Sequence, residues 1–346
     1  MRMFLRRYIF ILFSLVILSC SQGENYPGKG PWTIVGRMNV PRMAFAAIAV
    51  GENIYVIGGT NDRGYISDCE WVKVSPDGAV TNWKKVYSLT APRGFVAVAS
   101  YNGYVYAIGG ANGEHGSNLL NTIERAKINP DGSLGRWELE KNTMFSSRRG
   151  GTAFAANGYI FAIGGYNGEF LDTVEKAKIN PDGSLGKWEL MIPTLQDRRY
   201  IHSSIYTGGY IYVMGGHDRG SGGALNSVEY AKVKNDGGLE EFVKALPSIG
   251  ARYGAGVVVM NDFIYLIGGY DGRAINSVER AALNPYGAIN VWESVSSLSI
   301  PRNSPGIVAY KNNIYVIGGS DDKGRYLSSI EAVKINDKNE IRSWKR

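Results

Sequence analysis

AKINPDGSLGRWEL, residues 126–139, returns as AKINPDGSLGKWEL at 177–190, and the two differ only in Arg136 against Lys187. Self-similarity at a long fixed period marks a chain built of units too small to bury their own apolar face, which stack on copies of themselves. A second segment counts the copies: IYVIGG (54–59), VYAIGG (105–110), IFAIGG (160–165), IYVMGG (211–216), IYLIGG (264–269) and IYVIGG (314–319). An arginine stands 17 residues before the second glycine of each, namely Arg42, Arg93, Arg148, Arg199, Arg252 and Arg302. The chain therefore holds six copies in tight register.

Within one copy, a small or apolar stretch such as AFAAIAV (44–50) or AGVVVM (255–260) leads through an Asn/Gly turn into the diglycine segment, which reads as a β-hairpin. A loop of variable length precedes a third short strand, as in VEKAKI (174–179), VEYAKV (228–233) and VERAAL (278–283). Asn-Pro-Asp-Gly is then the reversal into a fourth strand that carries a tryptophan, because proline presets φ and Asp-Gly tightens the turn. Asp77, Asp131 and Asp182 are expected to serve that turn rather than calcium, since the alternate oxygen ligands of a calcium loop are missing.

Four short strands per copy, with diglycine, glutamate and tryptophan in order, resemble the kelch repeat. The resemblance runs over residues 31–346 and implies an all-β, six-bladed kelch-type β-propeller with four antiparallel strands per blade. Trp83, Trp137, Trp188, Trp292 and Trp344, with Phe242 in blade 4, are expected to form core between blades. Glu70, Glu124, Glu175, Glu229, Glu279 and Glu331 are expected to pair structurally with the six arginines, since a constellation repeated six times lacks the asymmetry of an active site. PWTIVGRMNVPR (31–42) repeats the fourth-strand pattern, with Trp32 ten residues before Arg42 as Trp83 is before Arg93. EIRSWKR (340–346) claims the same outer slot of blade 6, and the N-terminal segment is expected to close the ring.

Residues 1–19 carry Arg2, Arg6 and Arg7 ahead of an apolar run too short to span a bilayer, which reads as a lipoprotein signal peptide. Ile17-Leu18-Ser19-Cys20 resembles the bacterial lipobox. That resemblance implies lipidation of Cys20 and export to the cell envelope, at the outer membrane if the cell is Gram-negative. Residues 20–30 then form the lipidated N-terminus and a polar, glycine-rich tether. Cys69 would be the only other thiol, so no intramolecular disulfide is expected. Three of the 38 basic residues lie in 1–19, which lowers the formal charge from +7 to +4. So mild a balance points to no nucleic-acid partner. A monomer without a cofactor is expected.

The kelch resemblance also implies ligand binding at one mouth of the channel, built by the loops after each diglycine and by the residues that follow the repeated arginine (the Pro-Arg). Blades 3 to 5 break the repeat there with Arg149, Tyr166, Tyr200, His202, His217, Asp218, Arg219, Tyr253, Tyr270 and Asp271. Flat apolar faces mixed with hydrogen-bonding groups suit a glycan or an extended peptide, and as loop residues these are expected to carry little core. His202 and His217 lack metal-ligand spacing, and no phosphate-binding loop or G-x-S-x-G elbow is present. The favoured reading is a membrane-anchored binding module that recognises a protein or glycan at the mouth. The alternative is an exported small-sugar enzyme similar to kelch-type sialic acid mutarotases, which would need a carboxylate and an arginine deep in a channel whose strands are mostly Ala, Val and Ile.

Overall fold

The diglycine strand is buried on both faces, which explains why its sequence is continuously apolar. In Asn53–Ile57, Ile54 and Val56 pack with Tyr315 and Ile317 of the last copy, while Tyr55 and Ile57 pack with Val105 and Ala107 of the next. Alternate side chains of one strand thus feed two separate cores, and six such cores join six blades. The computed structural model describes residues 30–218 and 223–342, so Cys20, Arg219 and Trp344 lie outside the described residues. Blade 3 shows the pattern at full length, with Thr152–Ala156 innermost, then Tyr159–Ile163, Val174–Ile179 and Leu185–Leu190, all antiparallel. Trp83, Trp137, Trp188, Phe242 and Trp292 each fill the core between their own blade and the one before, as the sequence implies.

Each repeated arginine pins two blades. Arg93 donates through Nη1 to the carbonyl of Gly109, the first glycine of its own blade, at 2.9 Å, while its backbone carbonyl accepts the N–H of Gly59, the second glycine of the preceding blade, at 2.8 Å. The same two bonds recur at all six arginines, the last joining Gly319 N–H to Arg42 O at 2.9 Å. The glutamates complete the clamp. Five pairs lie at 2.6–3.0 Å, Arg252 contacts Glu279 likewise, and each carboxylate also accepts backbone N–H groups of the crossover loop. Burial pushes the guanidinium pKa of Arg42, Arg93, Arg148 and Arg252 down, and the facing glutamate pulls it back up.

Two residues beyond each arginine the backbone enters the left-handed region, at Ala44, Phe95, Gly150, Ile201, Gly254 and Ser304. Each of these donates its N–H to the carbonyl of its counterpart in the preceding blade at 2.7–3.2 Å, and Ala44 closes the circle on Ser304. A collar of six backbone hydrogen bonds therefore rings the top of the channel. The twice-written segment is a clasp at the opposite end. Gly132 and Gly183 turn at φ 87 and 80, and their carbonyls accept the hydroxyls of Tyr55 and Tyr106 from the preceding blade at 2.6 and 2.8 Å. Asp131 and Asp182 accept both the N–H and the hydroxyl of the serine two residues on, and these bonds hold their carboxyls below the usual range.

Both ends of the described chain reach the outer edge of blade 6. Thr33–Arg37 pairs with the 329–332 part of the third strand, and Ile341–Arg342 pairs with Lys334 and Ile335 beyond it. The competition expected from sequence is resolved by sharing, with the N-terminal segment taking the core position. Trp32 is 2% exposed and donates Nε1–H to Ser296 O at 2.8 Å, as Trp137 and Trp292 do to the blades before theirs. Trp32→Ala should therefore cost about 3–5 kcal/mol, and truncation after Asn339 less than about 1 kcal/mol, as read from urea unfolding midpoints. Equal losses would show that the C-terminal strand carries the joint.

Candidate functional site

The arginine clamps align two sets of loop residues at the mouth. The residue after each clamp bridges, in antiparallel fashion, to the residue after each diglycine: Met43 to Thr60, Gly94 to Ala111, Arg149 to Tyr166, Tyr200 to His217, Tyr253 to Tyr270 and Asn303 to Ser320. The backbone is thus sixfold, and the side chains it presents are not. From blade 2 to blade 5 they form an unbroken aromatic arc. Phe95 lies 6.3 Å from Tyr200, Tyr200 5.7 Å from Tyr166 and 6.0 Å from Phe170, Phe170 5.6 Å from His217, His217 5.4 Å from Tyr253, and Tyr253 5.3 Å from Tyr270. Arg149 places its guanidinium 4.6 Å over the Phe95 ring and 5.7 Å from that of Tyr200.

Seven of the expected site residues, Arg149, Tyr166, Tyr200, His217, Asp218, Tyr253 and Tyr270, fall on or beside this arc, half-buried. Asp271 is exposed on the turn that follows Tyr270, with its N–H bonded to Arg273 O at 3.2 Å. Asp218 pairs with Gly223 in a short loop hairpin. His202 departs from expectation. It is 6% exposed, lines the channel below the collar, and bonds Thr152 Oγ1 through Nε2 at 2.9 Å, because the residue three past the clamp already belongs to the inner strand's buried face. Tyr200 also does more packing than a loop residue should. Its ring lies against Phe95, Tyr166 and Phe170, a Cβ at Gly150 would collide with it, and burial pushes its hydroxyl up to about 12.

Phe170 and Tyr65 were missed by sequence reasoning. Both stand on the return arm of a loop that doubles back after the diglycine, Phe170 bridging to Tyr166 and Tyr65 pairing with Thr60. The signal was the tight Asn-Gly of GGYNGEF (164–170), which brings the fifth residue after the second glycine back beside the first.

Below the collar runs a channel of about 460 Å³ walled by the six inner strands. Among the described residues, His202 and Tyr206 are the titratable groups on its wall, and no Asp, Glu, Lys or Arg lines it. Among the described residues no three His, Cys, Asp or Glu side chains come together as a metal site. Cys69 is enclosed in the third strand of blade 1, where burial pushes its thiol up to about 12.

Burial, with the charges of Arg199 and Arg148 nearby, pushes His202 down to about 3 from 6.5. The folded state therefore binds this proton less readily than the unfolded chain, so stability is full above pH 6.5 and is lost as pH falls towards 3. His202→Gln should unfold in urea with a shallower acid dependence than the native chain between those limits. Parallel slopes would show that His202 is not held neutral.

The kelch motif model matches residues 92–125, 147–176, 198–230, 251–280 and 301–334, each from a clamp arginine through the third strand of blades 2 to 6. Blade 1 escapes that match, yet its Arg42, Glu70 and diglycine make the same clamp. Beta-scruin of Limulus polyphemus is 28% identical over 168 residues, 43% of this chain and 18% of that protein. Kelch-like protein 36 of Rattus norvegicus is 24% identical over 200 residues, 55% of this chain and 30% of that protein. The chain thus spans less than a third of the length of these curated relatives. A solved structure titled "Structure of YjhT" superposes with a TM-score of 0.71 at 15% identity, covering 88% of this chain and 98% of that one, a likeness of fold. Five kelch motifs and a sixth copy with the same buried clamp make this chain a six-bladed kelch-repeat β-propeller.

Proposed function

We propose that the chain is a membrane-anchored binding module that holds a protein segment or a glycan at the mouth of its channel. The observation that carries this reading is the arc from Phe95 to Tyr270, seven ring side chains (four Tyr, two Phe and one His) set without sixfold repetition on a backbone that repeats six times. Structural need accounts for the clamps, cores and turns, which recur in every blade, and leaves the non-repeated arc unexplained. A small-sugar enzyme would need an acid–base pair deep in the channel, and the described residues of its wall offer none.

Anchoring through Cys20 fits the direction of the first strand. Third strands end beside the inner hairpin turns, as where Val74 N–H bonds Glu52 O, so these turns and the glycine clasps share the face opposite the mouth. Trp32 corresponds to Trp83, which follows such a clasp, so the chain enters blade 6 from that face. A lipid at Cys20 would leave the mouth unobstructed.

Cys20→Ala should move the protein from the membrane fraction to the soluble fraction, since the tether has no other apolar anchor. Unchanged membrane association would overturn the lipid-anchor reading. At the mouth, Tyr253→Ala is the cleaner probe because Tyr200 also packs. Once a partner is identified by array screening, it should cost about 1–3 kcal/mol of binding by calorimetry with melting unchanged. Normal binding by this variant would move the contact off the arc.

A further inference from the structure

The end of the propeller opposite the mouth also breaks the repeat, and it does so in blade 5. Third strands carry an exposed lysine at or next to their last residue, Lys73, Lys127, Lys178, Lys232 and Lys334, where blade 5 has Ala282. The tips of the turns that follow carry Asp77, Asp131, Asp182, Asp236 and Lys338, where blade 5 has Tyr286. Just before the core aromatic of the fourth strand stand Asn82, Arg136, Lys187 and Glu241 in blades 1 to 4, and Val291 in blade 5. Tyr286 is 83% and Val291 77% exposed, so core packing asks for neither. Val291 shares a shallow hollow with Leu246, Phe263, Ala282 and Ile289. Asn290 and Glu293 complete that hollow, and Glu293 is paired with Arg280 at 2.7 Å. Three positions that are polar in the other blades are thus apolar together at one exposed corner, which marks a contact surface.

The chain leaves the described structure close by. Gly30 stands against Ser297 of blade 5, and Trp32 donates to Ser296 O. Pro31 precedes Trp32 as Val291 precedes Trp292, so the segment from Cys20 reaches blade 6 at the level where the apolar corner stands on blade 5. Cys20 lies ten positions before Gly30, a reach of at most about 35 Å. A lipid on Cys20 therefore keeps this corner within range of the bilayer surface. Tyrosine suits that boundary, with an apolar ring and a polar tip, and Val, Leu and Phe suit the acyl region beneath it.

We propose, resting on the lipid-anchor reading, that the corner formed by Tyr286, Val291, Leu246 and Phe263 is a membrane-contact surface that seats the anchored propeller on the lipid bilayer. An anchor alone limits distance and leaves orientation unset, and a second contact on the neighbouring blade sets it. The mouth is then carried on the side away from the membrane, where the arc from Phe95 to Tyr270 meets its partner. Asp262 belongs to the same end of blade 5 but sits on the inner hairpin turn, nearer the channel axis than the rim.

The test takes the chain from Cys20 onward, which retains every blade, and couples Cys20 to a maleimide lipid in phosphatidylcholine vesicles. Cys69 is enclosed, which leaves Cys20 as the reactive thiol. Hydroxyl-radical footprinting read by mass spectrometry compares coupled with uncoupled protein. Tyr286 and Val291 should be oxidised at least about threefold more slowly on the vesicles. Phe145 and Ile192, exposed on crossover loops that lead to the clamps, should keep their rates. Tyr286→Asp with Val291→Lys copies the pair that blade 3 carries, Asp182 and Lys187, so melting should hold while the protection of Leu246 and Phe263 is lost. No protection at Tyr286, equal protection at Phe145 and Ile192, or protection of Leu246 and Phe263 that survives the double substitution overturns the proposal. Slower oxidation of Tyr286 that appears in free solution as protein concentration rises would assign the corner to a second copy of the chain and overturn the lipid assignment. Because the coupling is chemical, protection on vesicles beside a Cys20→Ala chain that stays in the membrane fraction keeps the contact and removes the native anchor alone.

Discussion

One buried arginine per blade holds this molecule together, because its two ends belong to different blades. The guanidinium ties the first glycine of its own blade to a glutamate of the third strand, and the backbone carbonyl takes the second glycine N–H of the blade before. Burying a guanidinium and a carboxylate together gains little net stability over an apolar pair, since both must leave water. What the pair secures is position. Arg93 and Glu124 meet at 2.9 Å, and Glu124 also accepts Thr90 N–H at 2.6 Å, so the crossover loop can take only one path into the inner strand. Removing either partner would leave a charge buried with no countercharge, a far larger penalty than the pair's net contribution.

The clamp makes the mouth possible. Since each arginine is bonded to the diglycine, the next residue in both segments is forced alongside, which produces the six bridges from Met43–Thr60 to Asn303–Ser320. The collar follows two residues later, and it accepts an unfavourable backbone at Ile201, a β-branched residue at φ 51, because its N–H and carbonyl are both needed in the circle. A backbone so fully committed to hydrogen bonds leaves the side chains at 149, 166, 200, 217, 253 and 270 free to vary. Scaffold and site are thus separated by atom type within the same residues.

Scaffold was legible in the sequence and site geometry only partly so, for the same reason. Arg42, Glu70, Gly58 and Trp83 recur because each copy solves one packing problem, and repetition announces it. Asp131 could be assigned to a turn because Asn-Pro-Asp-Gly-Ser carries its own hydrogen-bond partners within four residues. His202 could not be placed by counting from Arg199, because whether the third residue after the clamp faces the mouth or the channel depends on the collar, a long-range feature. Phe170 was hidden in a loop whose length differs among the copies, so no register pointed to it. Tyr200 was visible as a mouth residue, while its burial depends on Phe95 of blade 2 and Gly150 of blade 3, which sequence order separates from it.

Closure shows how far local rules reach. A six-bladed ring has one joint the chain cannot make by running onward, and here it is spread over several independent interactions. Trp32 fills the core between blades 5 and 6, the Tyr315 hydroxyl reaches Gly78 O at 2.9 Å, Gly319 N–H reaches Arg42 O, and Ala44 N–H reaches Ser304 O. The Tyr315 clasp recurs between blades 1 and 2 and between blades 2 and 3, and the Gly319 and Ala44 bonds recur between every consecutive pair, so the joint is made with bonds that join blades elsewhere. The consequence bears on the site. Strain at a weak seam would spread to the loops nearest it, those of blades 6 and 1, whereas the aromatic arc runs from blade 2 to blade 5. The non-repeated side chains therefore sit on the part of the ring whose geometry depends least on how the ends are joined.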